Sequence, residues 1–218
     1  MAIKLLRNVV IAALIVSGLG WLFLKTIRDT NAEPYTIERG DLSGWTLAIE
    51  DPQFGGPGVL VFQPPVGRPA ELFRQIFLRA GLSMAGPSRP SMPVVLRSEY
   101  GKDAAAALSP DRLLEAARAT GIEREPLEAR CMVVRRESSS SAPSQRFFVL
   151  FESPGFARVR AELARLLEAQ GVSGFDPAAL RPVLAVASTE PDFDRWLWPL
   201  RVNPDADCVA PIALTAPD

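Results

Sequence analysis

Two apolar stretches, Cys131-Met132-Val133-Val134 and Phe147-Phe148-Val149-Leu150-Phe151, flank a serine-rich connection at residues 137–145. Each is short, rich in β-branched and aromatic residues and bounded by polar sequence, which predicts two strands joined as an antiparallel hairpin. A hairpin of this kind excludes a purely parallel, doubly wound sheet. The four consecutive serines from Ser138 suit a loop better than catalysis, because an activated serine needs a base held beside it.

Working outward, residues 155–169 carry Phe156, Val159, Leu163, Leu166 and Leu167 at helical spacing. Arg158, Arg160, Glu162, Arg165 and Glu168 fall elsewhere, so an amphipathic helix packed on a sheet is predicted. Residues 183–187 follow Pro182 as a strand. Upstream, Pro69 and Gly81 bound a helix whose stripe is Leu72, Phe73, Ile76 and Phe77. Ser109-Pro110-Asp111 starts a second helix that Gly121 stops, with Leu113, Leu114 and Ala117 inward. Residues 59–62 and 94–96 read as buried strands, and residues 35–49 as extended structure interrupted at Gly40-Asp41. The glycines at 55, 56 and 58 open a strand and precede no Gly-Lys-Ser/Thr, which argues against a phosphate loop. The fold expected is α+β: one domain at 35–189, its mixed or mostly antiparallel sheet covered by about three helices. Residues 190–218 are expected to be an irregular, acidic, proline-broken segment.

At the other end, Lys4 and Arg7 lead into an uncharged run at residues 8–24, which Lys25 and Arg28 close. As a helix it covers roughly 25 Å, a little short of a ~30 Å hydrocarbon core that snorkelling cations can make up. Residues 1–28 are therefore expected to be a single transmembrane anchor, with Trp21, Lys25 and Arg28 at the interface and 29–34 as linker. Lys25-Thr26-Ile27-Arg28-Asp29 after the core offers no cleavage site, so the anchor is expected to stay. The short basic head places the N-terminus in the cytoplasm and the domain in the periplasm of a bacterium. Ala13, Ser17 and Gly20 project within about 60° of one another, a small-residue face for packing on other transmembrane subunits within the bilayer.

Composition narrows the chemistry. A net charge of −1, with 22% charged and 48% hydrophobic residues, gives no basis for nucleic-acid binding. The chain has no histidine, which excludes Ser-His-Asp and Cys-His systems, imidazole zinc sites and His-ligated haem for the chain acting alone. Cys131 and Cys208 form no Cys-x-x-Cys pair, so no thioredoxin-like centre is expected. A disulfide between them is allowed if their α-carbons approach within about 7 Å.

The acids Glu190, Asp192, Asp194, Asp205 and Asp207 gather near Trp196-Leu197-Trp198. Asp192, Asp194, Trp196 and Trp198 are candidates for docking a partner such as a cationic extrinsic protein. No catalytic residue, cofactor or metal is assigned. The expectation is a non-catalytic, membrane-anchored accessory or scaffold subunit of a larger integral-membrane complex. Its alternatives are an anchored metal-dependent hydrolase or transferase using Asp/Glu pairs, or a small-ligand-binding periplasmic domain.

Overall fold

The computed structural model describes residues 14–22, 25, 33–51, 58–65, 70–138, 143–190 and 202–216. Two units result, Met1–Glu33 and Pro34–Asp218. In the first, residues 14–22 are helical. Among the described residues no helix is long and apolar enough to cross a membrane; the described helix covers only part of the run from 8 to 24.

The second unit is an α+β domain with a mixed sheet and several helices. In chain order it contains β1 (Tyr35–Glu38), a 3-10 turn (Arg39–Leu42), β2 (Thr46–Ile49), β3 (Gly58–Gln63), α1 (Ala70–Ala80), β4 (Met92–Leu96), α2 (Lys102–Ala107) and α3 (Pro110–Ala119). A 3-10 turn (Ile122–Arg124), β5 (Glu128–Ser138), β6 (Pro143–Glu152), α4 (Pro154–Ala169), β7 (Val183–Ser188), α5 (Pro204–Asp207) and β8 (Cys208–Thr215) follow. Five strands form one sheet in the order β1-β8-β5-β6-β7, and three form another in the order β2-β3-β4.

The predicted hairpin is β5–β6, with Val134 opposite Phe147 and Cys131 opposite Leu150. Alternation along these strands divides their side chains between two apolar layers. Met132, Phe147, Val149 and Phe151 join the main core, which also holds Leu47, Leu60, Phe62 and Ile76 from the other sheet and α1. Cys131, Val133, Phe148 and Leu150 face the opposite way, with Val183, Ala185 and Val202. A sheet buried on both faces explains why Phe147 and Phe148 are neighbours in sequence and both inside.

The C-terminal segment corrects the expectation of irregular structure, because Cys208–Thr215 is an interior strand of the larger sheet. Proline inside a strand ordinarily argues against pairing. Pro211 is tolerated because it stands where β8 changes partner: Cys208 to Pro211 run antiparallel to β5, and Ile212 to Thr215 run parallel to β1.

The edges of both sheets carry the fold's most consistent feature, since each is closed by a group other than a strand. On β1, the Thr36 N–H donates to Gln75 Oε1 at 2.9 Å, and Gln75 Nε2 donates back to the Thr36 carbonyl at 3.0 Å. On β2, the Leu47 N–H donates to Glu123 at 2.7 Å while Arg118 donates to the Leu47 carbonyl at 3.1 Å. On β4, Arg160 donates to the Val94 carbonyl at 2.7 Å and the Leu96 N–H donates to Glu99 at 2.9 Å. On β7, Ser188 exchanges two backbone hydrogen bonds of 2.8 Å with Ala85.

Arg160 departs from its sequence reading. Expected on the polar face of α4, it is 0% exposed and lies on the same stripe as Phe156, Leu163 and Leu167. All five of its N–H donors are used: by Pro177 and Asp176 carbonyls, by Val94, and twice by the Glu99 carboxylate. Phe175 stacks on the guanidinium at 4.7 Å, so a buried charge is here both paired and fully hydrogen-bonded.

Candidate functional site

A concavity of the domain lies where β1 and its 3-10 turn pass the N-terminal end of α1. It is a groove of about 420 Å³. Leu72, Phe151, Leu184 and Trp45 form its floor, and Thr36, Glu38, Asp41 and Glu71 stand among its lining. Trp45 fixes the floor's shape: its Nε1–H donates to the Asp41 carbonyl at 2.8 Å. Its ring packs on Phe62 and, edge-on, on Phe151, each with centroids 5.5 Å apart. Tryptophan in this position buries a large apolar body while its single donor stays satisfied.

The carboxylates arrive from three elements. Glu71 occupies the first turn of α1, where a negative charge complements the helix dipole, and it pairs with Arg74 at 2.7 Å. That hydrogen bond holds the Glu71 carboxyl below the ordinary carboxylate range. Asp41 comes from the 3-10 turn and Glu38 from the end of β1. The Thr36 hydroxyl accepts from Gln75 at 2.9 Å, so it is held as part of the edge closure rather than next to a base. An acidic rim over an apolar floor suits a neutral or cationic organic group and disfavours an anion.

A second polar feature is Glu50, buried beneath the end of the smaller sheet. Its carboxylate accepts from the Gly58 N–H at 3.0 Å and the Ser91 hydroxyl at 3.3 Å, and Arg97 donates to its backbone carbonyl at 3.2 Å. Burial pushes its carboxyl above the ordinary range, against the lowering effect of those donors. A Cβ at residue 58 would collide with Val61 and meet Glu50, so glycine there permits the close approach. These contacts fasten the ends of β2 and β3.

The sequence candidates are distributed as follows. Cys131 and Cys208 form a disulfide between β5 and β8, their α-carbons 5.6 Å apart. Ser17, Gly20 and Trp21 lie on the helix 14–22, all exposed, and Lys25 Nζ sits 5.6 Å from the Trp21 ring centroid. Ala13, Arg28, Asp192, Asp194, Trp196 and Trp198 lie outside the described residues.

Other acids of the C-terminal segment are engaged with arginines: Glu190 with Arg146 at 2.7 Å and Asp207 with Arg135 at 3.1 Å. Asp207 also accepts from the Asn203 N–H at 2.8 Å. Among the described residues no group of three His, Cys, Asp or Glu side chains is placed to hold a metal ion.

Trp45, the groove it floors, Glu50 and the Arg160–Glu99 pair were not singled out from sequence. Only Arg160 carried a usable signal, its spacing of three and seven from Leu163 and Leu167. No protein-family model, curated protein or solved structure matches this chain.

Proposed function

We propose that this chain is a non-catalytic accessory subunit, anchored by residues 8–24 in a membrane and carrying its α+β domain on the periplasmic side. There it braces a larger integral-membrane complex or receives an extrinsic partner. The observation that carries this reading is the helix 14–22, on which Leu14, Ile15, Val16, Leu19, Trp21 and Leu22 are all more than half exposed. Leaving such side chains in water forfeits roughly 1.5–3 kcal/mol each for the larger aliphatics, so lipid or other apolar helices are their natural cover.

Two further observations favour the reading. A disulfide belongs to an oxidising compartment, which suits the Cys131–Cys208 bridge and a periplasmic domain. The acids Glu190 and Asp207 are engaged with arginines, which suits a structural role.

Extraction in mild detergent, size separation and mass spectrometry of whatever travels with the chain tests the proposal. Stoichiometric integral-membrane partners are the expected result. A lone 23.7 kDa species overturns the subunit reading.

The groove beside Trp45 favours a second reading, a small-ligand-binding domain for organic cations. Thermal shift of the full chain against a panel of small amines tests it. A stabilising hit abolished by Glu71→Gln combined with Asp41→Asn supports that reading; a flat panel removes it.

A further inference from the structure

Helix α1 runs antiparallel to β1. Gln75 meets Thr36, and one turn later Arg79 donates to the Pro34 carbonyl at 2.8 Å and stacks over Tyr35 at 4.1 Å. The C-terminal end of α1 therefore points to the place where the chain enters the domain. Gly81, with φ of 62°, ends the helix in the left-handed conformation that glycine adopts freely.

At that end the surface turns apolar. Phe77 is 45% exposed, Leu78 65% and Leu82 39%, and Phe73 stacks on Phe77 with centroids 6.5 Å apart. Among the described residues of the domain, the other large apolar side chains so exposed are Val209 and Leu214, both on β8. The same helix buries Leu72 and Ile76 against the core, so α1 is apolar on two sides and polar at Glu71 and Arg74. Folding has no use for the second apolar side.

We propose that the C-terminal end of α1, through Phe77, Leu78 and Leu82, lies in the interfacial layer of the lipid bilayer and fixes the domain's orientation to the membrane. This rests on the membrane anchor proposed above. Residues 25–33 reach at most about 30 Å when fully extended, so Pro34 can lie no further than that from the end of the proposed anchor. Arg79 in turn holds the apolar end of α1 to Pro34. A partly exposed amphipathic helix tethered this way has the headgroup boundary within reach, and its apolar side gains there what water denies it.

The test uses the full chain in vesicles of phosphatidylcholine and phosphatidylglycerol, its disulfide intact. One added cysteine carries a nitroxide label, either at Leu78→Cys or at Arg112→Cys, an exposed position on α3, which packs on the other sheet. Retention after alkaline carbonate is scored first, then collisional access to oxygen and to a water-soluble nickel chelate. The expected result is retention, with the oxygen-to-nickel ratio several-fold higher at 78 than at 112. Retention with equal ratios overturns the proposal while leaving the anchor standing. Loss into the carbonate wash overturns the anchor and the proposal together. A label at 78 shielded from both quenchers means that protein covers the patch, and this also overturns the proposal.

Discussion

The edges of β1 and β4 solve one problem with different chemistry. β1 is closed by a neutral carboxamide, Gln75, whose Oε1 and Nε2 copy the acceptor and donor of a neighbouring strand at Thr36. β4 is closed by an ion pair, Arg160 and Glu99, with the guanidinium at 0% and the carboxylate at 15% side-chain exposure. A neutral closure costs little to desolvate and can be lost cheaply. A buried charged closure is stable only while every partner remains, so its failure should be steep. The difference teaches that the same two backbone groups can be satisfied by an adjustable device or by one that locks several elements at once. Arg160 ties β4, α4 and the loop at residues 175–177 together, whereas Gln75 ties only α1 to β1.

The largest expected effect breaks the charged closure alone. Glu99→Gln leaves Arg160 buried without its counter-charge and should cost about 3–5 kcal/mol in denaturant unfolding. The paired replacement Arg160→Met with Glu99→Leu should recover much of that loss; no recovery would mean that the carbonyl bonds to Pro177 and Asp176 matter more than the charge.

Next comes the covalent tie beside the neutral edge. Cys131→Ala with Cys208→Ala should lower stability by about 2–4 kcal/mol, measured by the same unfolding, and should weaken β8 and hence β1 before the smaller sheet. Hydrogen exchange that loosens both sheets equally would contradict that order.

Gln75→Ala should cost only about 1 kcal/mol. A loss equal to that of Glu99→Gln would erase the distinction between the two closures.

The smallest effect is a slope. Glu50 has a raised carboxyl pKa in the folded protein, so the folded state binds more protons than the unfolded one between the two values. Its contribution is then most favourable at low pH and is lost as pH rises from the unfolded carboxylate value through the folded one. Glu50→Gln keeps an acceptor for Gly58 and should flatten stability against pH across that window, read from unfolding midpoints. An unchanged slope would assign the titration elsewhere.

Much of the architecture is legible in the residues. The β5–β6 hairpin, α1, α3, α4 and β7 follow from apolar periodicity and from proline and glycine at element ends, which are local signals. What escapes is what depends on tertiary partners. β8 looks irregular because Pro211 and the acidic turn before it are judged without the partner change that accommodates them. Arg160 looks like a solvated arginine because a charged residue on a buried stripe makes sense only once Glu99 and three carbonyls from distant segments have been gathered around it. Trp45 gives no sign of flooring a groove, since Asp41, Phe62 and Phe151 meet it only in the folded chain. The apolar run near the N-terminus was plain in sequence, yet its function depends on surroundings that a single chain does not contain.

The pairing of β1 with β8 has a consequence for biogenesis. Ile37 and Thr215 lie 178 positions apart, so during synthesis the first strand of the domain waits for the last before its sheet can close. Contacts of such separation form late and slowly. Until residues 208–215 emerge, β1 lacks its partner strand and the Cys131–Cys208 bridge cannot form. Oxidation of the Cys131 and Cys208 thiols to the bridge, with two electrons and two protons passing to an external thiol oxidant, can follow only after the last strand arrives, which makes this bridge a natural marker of a completed sheet.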